Sequence, residues 1–130
     1  MSEPIRIALV AEGITDAVVL KAALKSILAP RTFTLRLLQP EGSLAFGAAG
    51  PLGGGWGGVY KWCLQAAMRG GGQLSSDGLL FDSCDALIVH VDADVADKTY
   101  GSANVEQAPW ALDLPCAAAC PPVQATISAL

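Results

Sequence analysis

Ala86-Leu87-Ile88-Val89-His90-Val91 runs straight into Asp92-Ala93-Asp94. The first six residues are a short, branched, apolar run, which reads as a buried strand. Two carboxylates follow at once, where a strand of an α/β sheet would end. In open parallel sheets, ligands gather outside the carboxyl ends of the strands. This segment therefore fixes both the fold expected and the place to look for chemistry.

Upstream, residues 5–11 (Ile-Arg-Ile-Ala-Leu-Val-Ala) form a second run of the same kind, and Glu12-Gly13 ends it. Thr15 suits a helix N-cap and Asp16 a favourable first-turn charge. Residues 16–28 then repeat apolar side chains at Ala17, Leu20, Leu24, Ile27 and Leu28, and Pro30 stops the helix. Residues 33–38 alternate as another strand. Glycines dominate 42–58, which reads as a long loop. Val59 to Arg69 is expected to be a helix with Tyr60, Cys63, Leu64, Ala67 and Met68 on its apolar side. A polar turn at 75–78 leads to Leu79-Leu80-Phe81 and on to the strand at 86–91. The order strand, helix, strand, helix, strand implies right-handed crossovers and a parallel sheet. The expected core is Ile5, Ile7, Leu9, Val18, Leu20, Leu24, Leu35, Leu37, Leu87, Ile88, Val89 and Val91.

The chain has 130 residues, enough for one domain with a core of its own. With 52% apolar residues, disorder is not expected. Met1-Ser2-Glu3-Pro4 lacks the basic and apolar regions of a signal peptide, and no apolar run is long enough to cross a bilayer. The expectation is a cytoplasmic protein without membrane contact. In a reducing compartment, Cys63, Cys84, Cys116 and Cys120 read as free thiols, with Cys116-x3-Cys120 packing like small apolar residues. Pro121-Pro122 starts a helix at 123–130 that stops after about two turns, which reads as the beginning of a truncated element. Eight Lys and Arg against twelve Asp and Glu give a net charge of −4. Such a chain does not bind nucleic acid by charge alone. A divalent cation or another chain would have to supply the missing positive charge.

If the strands before Glu12 and Asp92 are neighbours, their separation of roughly 4.8 Å brings Glu12, Asp92 and Asp94 to one edge. Carboxylates that close repel, and a bound Mg²⁺, a hard cation that takes carboxylate oxygens, relieves the repulsion. His90 precedes Asp92 by two residues, so strand alternation sends both to one side, where His90 could move protons or simply pack. The Gly-rich stretch has no Gly-Lys-Ser/Thr ending and is not a P-loop. Lys61 and Arg69 follow it and are the candidates for substrate-phosphate contacts. Trp56 and Trp110 flank loops and could stack on a base.

Glu12-Gly13-Ile14-Thr15-Asp16 after one buried strand, and Asp92-Ala93-Asp94 after another, resemble the two motifs of the toprim domain. The Glu-Gly-x-Thr-Asp form is most similar to the OLD-like and small stand-alone bacterial toprim proteins. The resemblance covers residues 5–28 and 82–98. It implies a Rossmann-like α/β fold, a mainly parallel sheet flanked by helices, as a single domain. It also implies Mg²⁺-dependent phosphodiester chemistry of nuclease type, with Mn²⁺ as a substitute ion. Glu12 would be general acid/base or ligand, Asp92 and Asp94 metal ligands, and Asp16 and Asp97 supporting acidic groups. Topoisomerase relatives also need a tyrosine nucleophile, and nothing marks Tyr60 or Tyr100 for that role. The expected partner is nucleic acid. The competing expectation is a non-catalytic metal-binding module that docks a larger protein or a second copy of itself. A nucleotide or small-molecule phosphatase using the same acidic edge is a third.

Overall fold

The computed structural model describes residues 2–40 and 52–92. Their elements run β1 (Ile5–Val10), α1 (Ile14–Leu28), β2 (Phe33–Gln39), α2 (Gly55–Arg69), a 3-10 turn (Leu74–Ser76), α3 (Gly78–Ser83) and β3 (Ala86–Val89). The three strands form one open parallel sheet in the order β2-β1-β3. Helices flank it, giving a mixed α/β architecture. No helix among the described residues is long and apolar enough to cross a membrane.

β1 is hydrogen-bonded on both sides, and Ile7, Ala8, Leu9, Val10 and Ala11 are all buried. A strand covered on both faces needs apolar residues throughout, which is why this run does not alternate. Ala8 meets Leu80 and Cys84, with Leu38, Trp62, Leu74 and Leu87 packed around them. Opposite Leu9 and Val10, β2 carries one extra residue: Leu9 pairs with Leu37 and Val10 with Gln39. The bulge sends Leu38 into that cluster and leaves Gln39 wholly buried.

Several sequence expectations need correction. Gly13, not Thr15, is the N-cap of α1, and the Gly13 N–H donates to Asp16 Oδ2 at 2.8 Å. The half-buried side of α1 carries Ala17, Leu20, Leu24 and Leu28, while Val18 and Ile27 are largely exposed. Val89 is also exposed, because β3 has a neighbour on only one side among the described residues. The helix expected from Val59 starts at Gly55 and absorbs the end of the Gly-rich loop. Its inward face is Trp56, Val59, partly buried Trp62 and Ala66, whereas Leu64 and Met68 point outward. So many α2 residues are small or apolar that periodicity alone did not single out one face. Trp56 is buried and lies edge-on to Tyr60, with ring centroids 6.5 Å apart, so burial rather than an open stacking surface explains it. Residues 42–51 of the Gly-rich stretch, Tyr100, Trp110, Cys116, Cys120 and the terminal helix lie outside the described residues.

Gly58, beside the site, is dictated by packing. A Cβ on Gly58 would come within 2.6 Å of Gln39 Nε2 and still closer to the Gly53 carbonyl oxygen. Hydrogen bonds between Arg6 and Asp85 fix the β1–β3 pairing at its start. The Asp85 N–H donates to the Arg6 carbonyl at 2.7 Å, and Asp85 in return accepts from the Arg6 N–H at 2.8 Å and from Arg6 Nη2 at 2.7 Å. The Arg6 side-chain hydrogen bond is the main cause holding the Asp85 carboxyl below its ordinary value.

Gly58→Ala should therefore destabilise the fold by about 2 kcal/mol or more, read as a lower midpoint in thermal or urea unfolding. Asp85→Asn should show its cost only where Asp85 is ionised. A depressed carboxylate adds stability above its unfolded value and loses it as pH falls through the folded one. The gap in Tm between wild type and Asp85→Asn should be widest near neutrality and should narrow below pH of about 4.

Candidate metal centre

The carboxyl ends of β1 and β3 lie side by side, with Val10 paired to Val89. The ladder continues one step further, where the His90 N–H donates to the Val10 carbonyl at 2.8 Å. Glu12 leaves β1 and Asp92 leaves β3 on this edge. The two meet directly: the Asp92 N–H donates to Glu12 Oε1 at 2.7 Å. Side chains eighty positions apart in sequence thus share one corner of the sheet.

Asp16 arrives from the first turn of α1, and its carboxylate is oriented by the Gly13 N–H. Carboxylate oxygens of Asp16 and Asp92 and a ring nitrogen of His90 all lie within 4.8 Å of one another. Ligands on opposite sides of an octahedral ion with bonds of about 2.1 Å stand roughly 4.2 Å apart. Neighbouring ligands of the same ion stand about 3.0 Å apart, so a single small divalent cation would need the three side chains to close in around it. Asp16 and His90 are half-buried and Asp92 is exposed, so the corner opens to solvent on one side. His90 Nδ1 is buried and has no hydrogen-bond partner among the described residues. Buried ring nitrogens are normally satisfied.

The amino end of α2 closes the same edge. The Gly55 N–H donates to the Glu12 carbonyl at 2.9 Å, which ties the start of α2 to the end of β1. Gly53 and Gly55 take positive φ angles of 77° and 70°, a region open chiefly to glycine, and so make this tight approach possible. Gln39, at the end of β2, donates through Nε2 to the Gly53 carbonyl at 2.6 Å, while its Oε1 is buried without a partner. Sequence reasoning passed over Gln39. Its signal was a polar residue after the apolar pair Leu37-Leu38, just before Pro40.

Of the residues expected at the site, Glu12, Asp16, His90 and Asp92 come together. Asp94 and Asp97 lie outside the described residues. Arg69 does not belong with them. It sits in the last turn of α2, about 21 Å along the helix axis from Gly55. There its guanidinium grips the buried Asp77 carboxylate, with Nη2 at 2.9 Å and Nε at 3.0 Å from Oδ2. Asp77 in turn caps α3 by accepting from the Leu80 N–H. The guanidinium is held by a structural partner, so its proposed substrate contact is withdrawn. Lys61, half-buried in the second turn of α2, is the nearer of the two cations to the corner. Cys63 is no candidate nucleophile, because burial pushes its thiol up.

Glu12→Gln keeps an acceptor oxygen for the Asp92 amide and should leave the melting temperature almost unchanged. Glu12→Ala removes it and should cost about 1 kcal/mol. The local readout is hydrogen exchange at the Asp92 amide, faster in Glu12→Ala than in Glu12→Gln.

Comparison with known proteins adds no relative: no family model, no curated protein and no solved structure matches the chain.

Proposed function

We propose that this chain is a toprim-type domain that hydrolyses phosphodiester bonds in nucleic acid with a divalent cation, Mg²⁺ or Mn²⁺, at the corner formed by Glu12, Asp16, His90 and Asp92. One observation carries the reading. The two acidic motifs, far apart in the chain, leave adjacent parallel strands and meet through the Asp92 N–H to Glu12 hydrogen bond. A cation bound there would polarise a phosphate and stabilise the oxygen that departs from it.

The chain's own groups have distinct tasks in this reading. Asp92 supplies a ligand oxygen from the exposed side, and Asp94, two residues on, is a further candidate ligand. Asp16 supplies one from the helix start. Glu12 fixes the backbone at Asp92 and is the general acid/base nearest to it. The start of α2 walls the corner and carries Lys61, the remaining candidate for a phosphate contact. Asp97 stays an auxiliary acidic group.

A second reading has its own support. The ion pairs of Arg6 with Asp85 and of Arg69 with Asp77 spend two of the chain's eight basic residues on structure. That favours a domain that binds a metal ion and docks a partner protein or a second copy without turning over nucleic acid.

The full chain should be incubated with single- and double-stranded DNA and with RNA, in Mg²⁺ and in Mn²⁺. Cleavage that falls at least about 100-fold in Asp92→Asn and Glu12→Gln, with circular dichroism unchanged, is the expected result; a loss of that size is typical for groups acting on the transition state. Absence of cleavage on every substrate, together with a metal-dependent rise in Tm, would replace the nuclease reading with the docking one.

A further inference from the structure

We propose that His90 is itself a metal ligand, and that Asp16, His90 and Asp92 form a mixed oxygen–nitrogen site that prefers a transition ion such as Mn²⁺ or Zn²⁺ over Mg²⁺. The inference rests on the reading above that this corner takes a divalent cation, and it names the class of ion.

Three observations support it. The imidazole lies in the same group of donor atoms as the two carboxylates, all within 4.8 Å. The buried Nδ1 has no hydrogen-bond partner among the described residues. The backbone beneath it is pinned, since the His90 N–H is held by the Val10 carbonyl and the Asp92 N–H by Glu12. Position 90 therefore cannot drift away from position 92.

Ligand chemistry then selects the ion. Mg²⁺ wants oxygen donors and gives up its waters reluctantly. Neutral imidazole favours borderline transition ions, and it does so without adding charge. Two carboxylates and one imidazole neutralise a divalent ion while leaving positions for water or a phosphate oxygen. Asp16 has the outer support that metal-binding carboxylates commonly show, because the Gly13 N–H fixes its orientation. Glu12, whose Oε1 accepts from the Asp92 amide, has no oxygen in that group of donor atoms. The trio rather than Glu12 forms the inner set.

The test is direct on the full chain. Mn²⁺, Zn²⁺ and Mg²⁺ are titrated calorimetrically into wild type, His90→Gln, His90→Ala and Asp92→Asn. The Mn²⁺-loaded wild type is also examined by pulsed electron paramagnetic resonance for coupling to a directly bound ¹⁴N. The expected results are at least tenfold tighter binding of Mn²⁺ or Zn²⁺ than of Mg²⁺, and a ¹⁴N signal in the wild type. The His90 variants should lose at least tenfold in Mn²⁺ and Zn²⁺ affinity with little change for Mg²⁺. The spectroscopic arm needs no variant to fold. Metal loss in Asp92→Asn alone, with no ¹⁴N coupling and no effect of the His90 variants, would overturn the assignment of His90 and leave the acidic corner standing. A ¹⁴N signal without phosphodiester cleavage would do the reverse, keeping the metal site and removing the nuclease reading.

Discussion

The parallel register of β1 against β3 is the constraint on which the rest depends. Side chains on a strand alternate, so a slip of one residue would send His90 and Asp92 to the opposite face. The register is held at both ends of a short pairing. At the start, the Asp85 N–H donates to the Arg6 carbonyl, the Arg6 N–H donates to the Asp85 carboxylate, and the two side chains form an ion pair. At the far end, Val10 holds His90 and Glu12 holds Asp92. An ion pair as exposed as Arg6–Asp85 contributes little to global stability. Its value lies in fixing an alignment on which every acidic group downstream relies.

Glu12 links three segments of chain through two of its groups. Its side chain holds the segment after β3, and its carbonyl holds the start of α2. With Gly13 capping α1 next to it, the openings of both long helices and the end of β3 converge on one residue pair. The glycines around α2 belong to the same arrangement. Gly58 keeps the helix close to Gln39, and Gly53 and Gly55 provide the turn that brings Gly55 to the Glu12 carbonyl. The Gly-rich stretch thus ends in the wall of the site.

Much of this was legible in the sequence. The β1 and β3 runs, their parallel relation and the meeting of Glu12 with Asp92 follow from apolar runs that end in carboxylates. Four features were hidden for physical reasons. α2 begins four residues before the expected Val59, because glycine's low helix propensity is overridden when the residue must fit under a close neighbour. Its inward face was ambiguous because small and apolar residues surround the whole helix. Arg69 looked like a phosphate contact because nothing in linear sequence shows that residues 70–77 fold back to set Asp77 beneath it. The β2 bulge was equally silent, and it decides that Gln39, not Leu38, pairs with Val10.

The chain also shows how an acidic protein can keep several carboxylates together. Two of the three receive a backbone N–H as partial compensation: Glu12 from Asp92, and Asp16 from Gly13. Hydrogen bonds to the charged form favour it, so these two amides lower the cost of gathering the groups. Asp92 is the exposed member, its own N–H turned to Glu12. That asymmetry suits a site that must exchange an ion. Asp16 and His90 are carried by the helix start and the strand end, while the outermost carboxylate faces solvent. An arginine placed among them would have balanced the charge permanently and closed the corner to a cation. The two arginines whose pairing is seen, Arg6 and Arg69, are instead committed to carboxylates elsewhere.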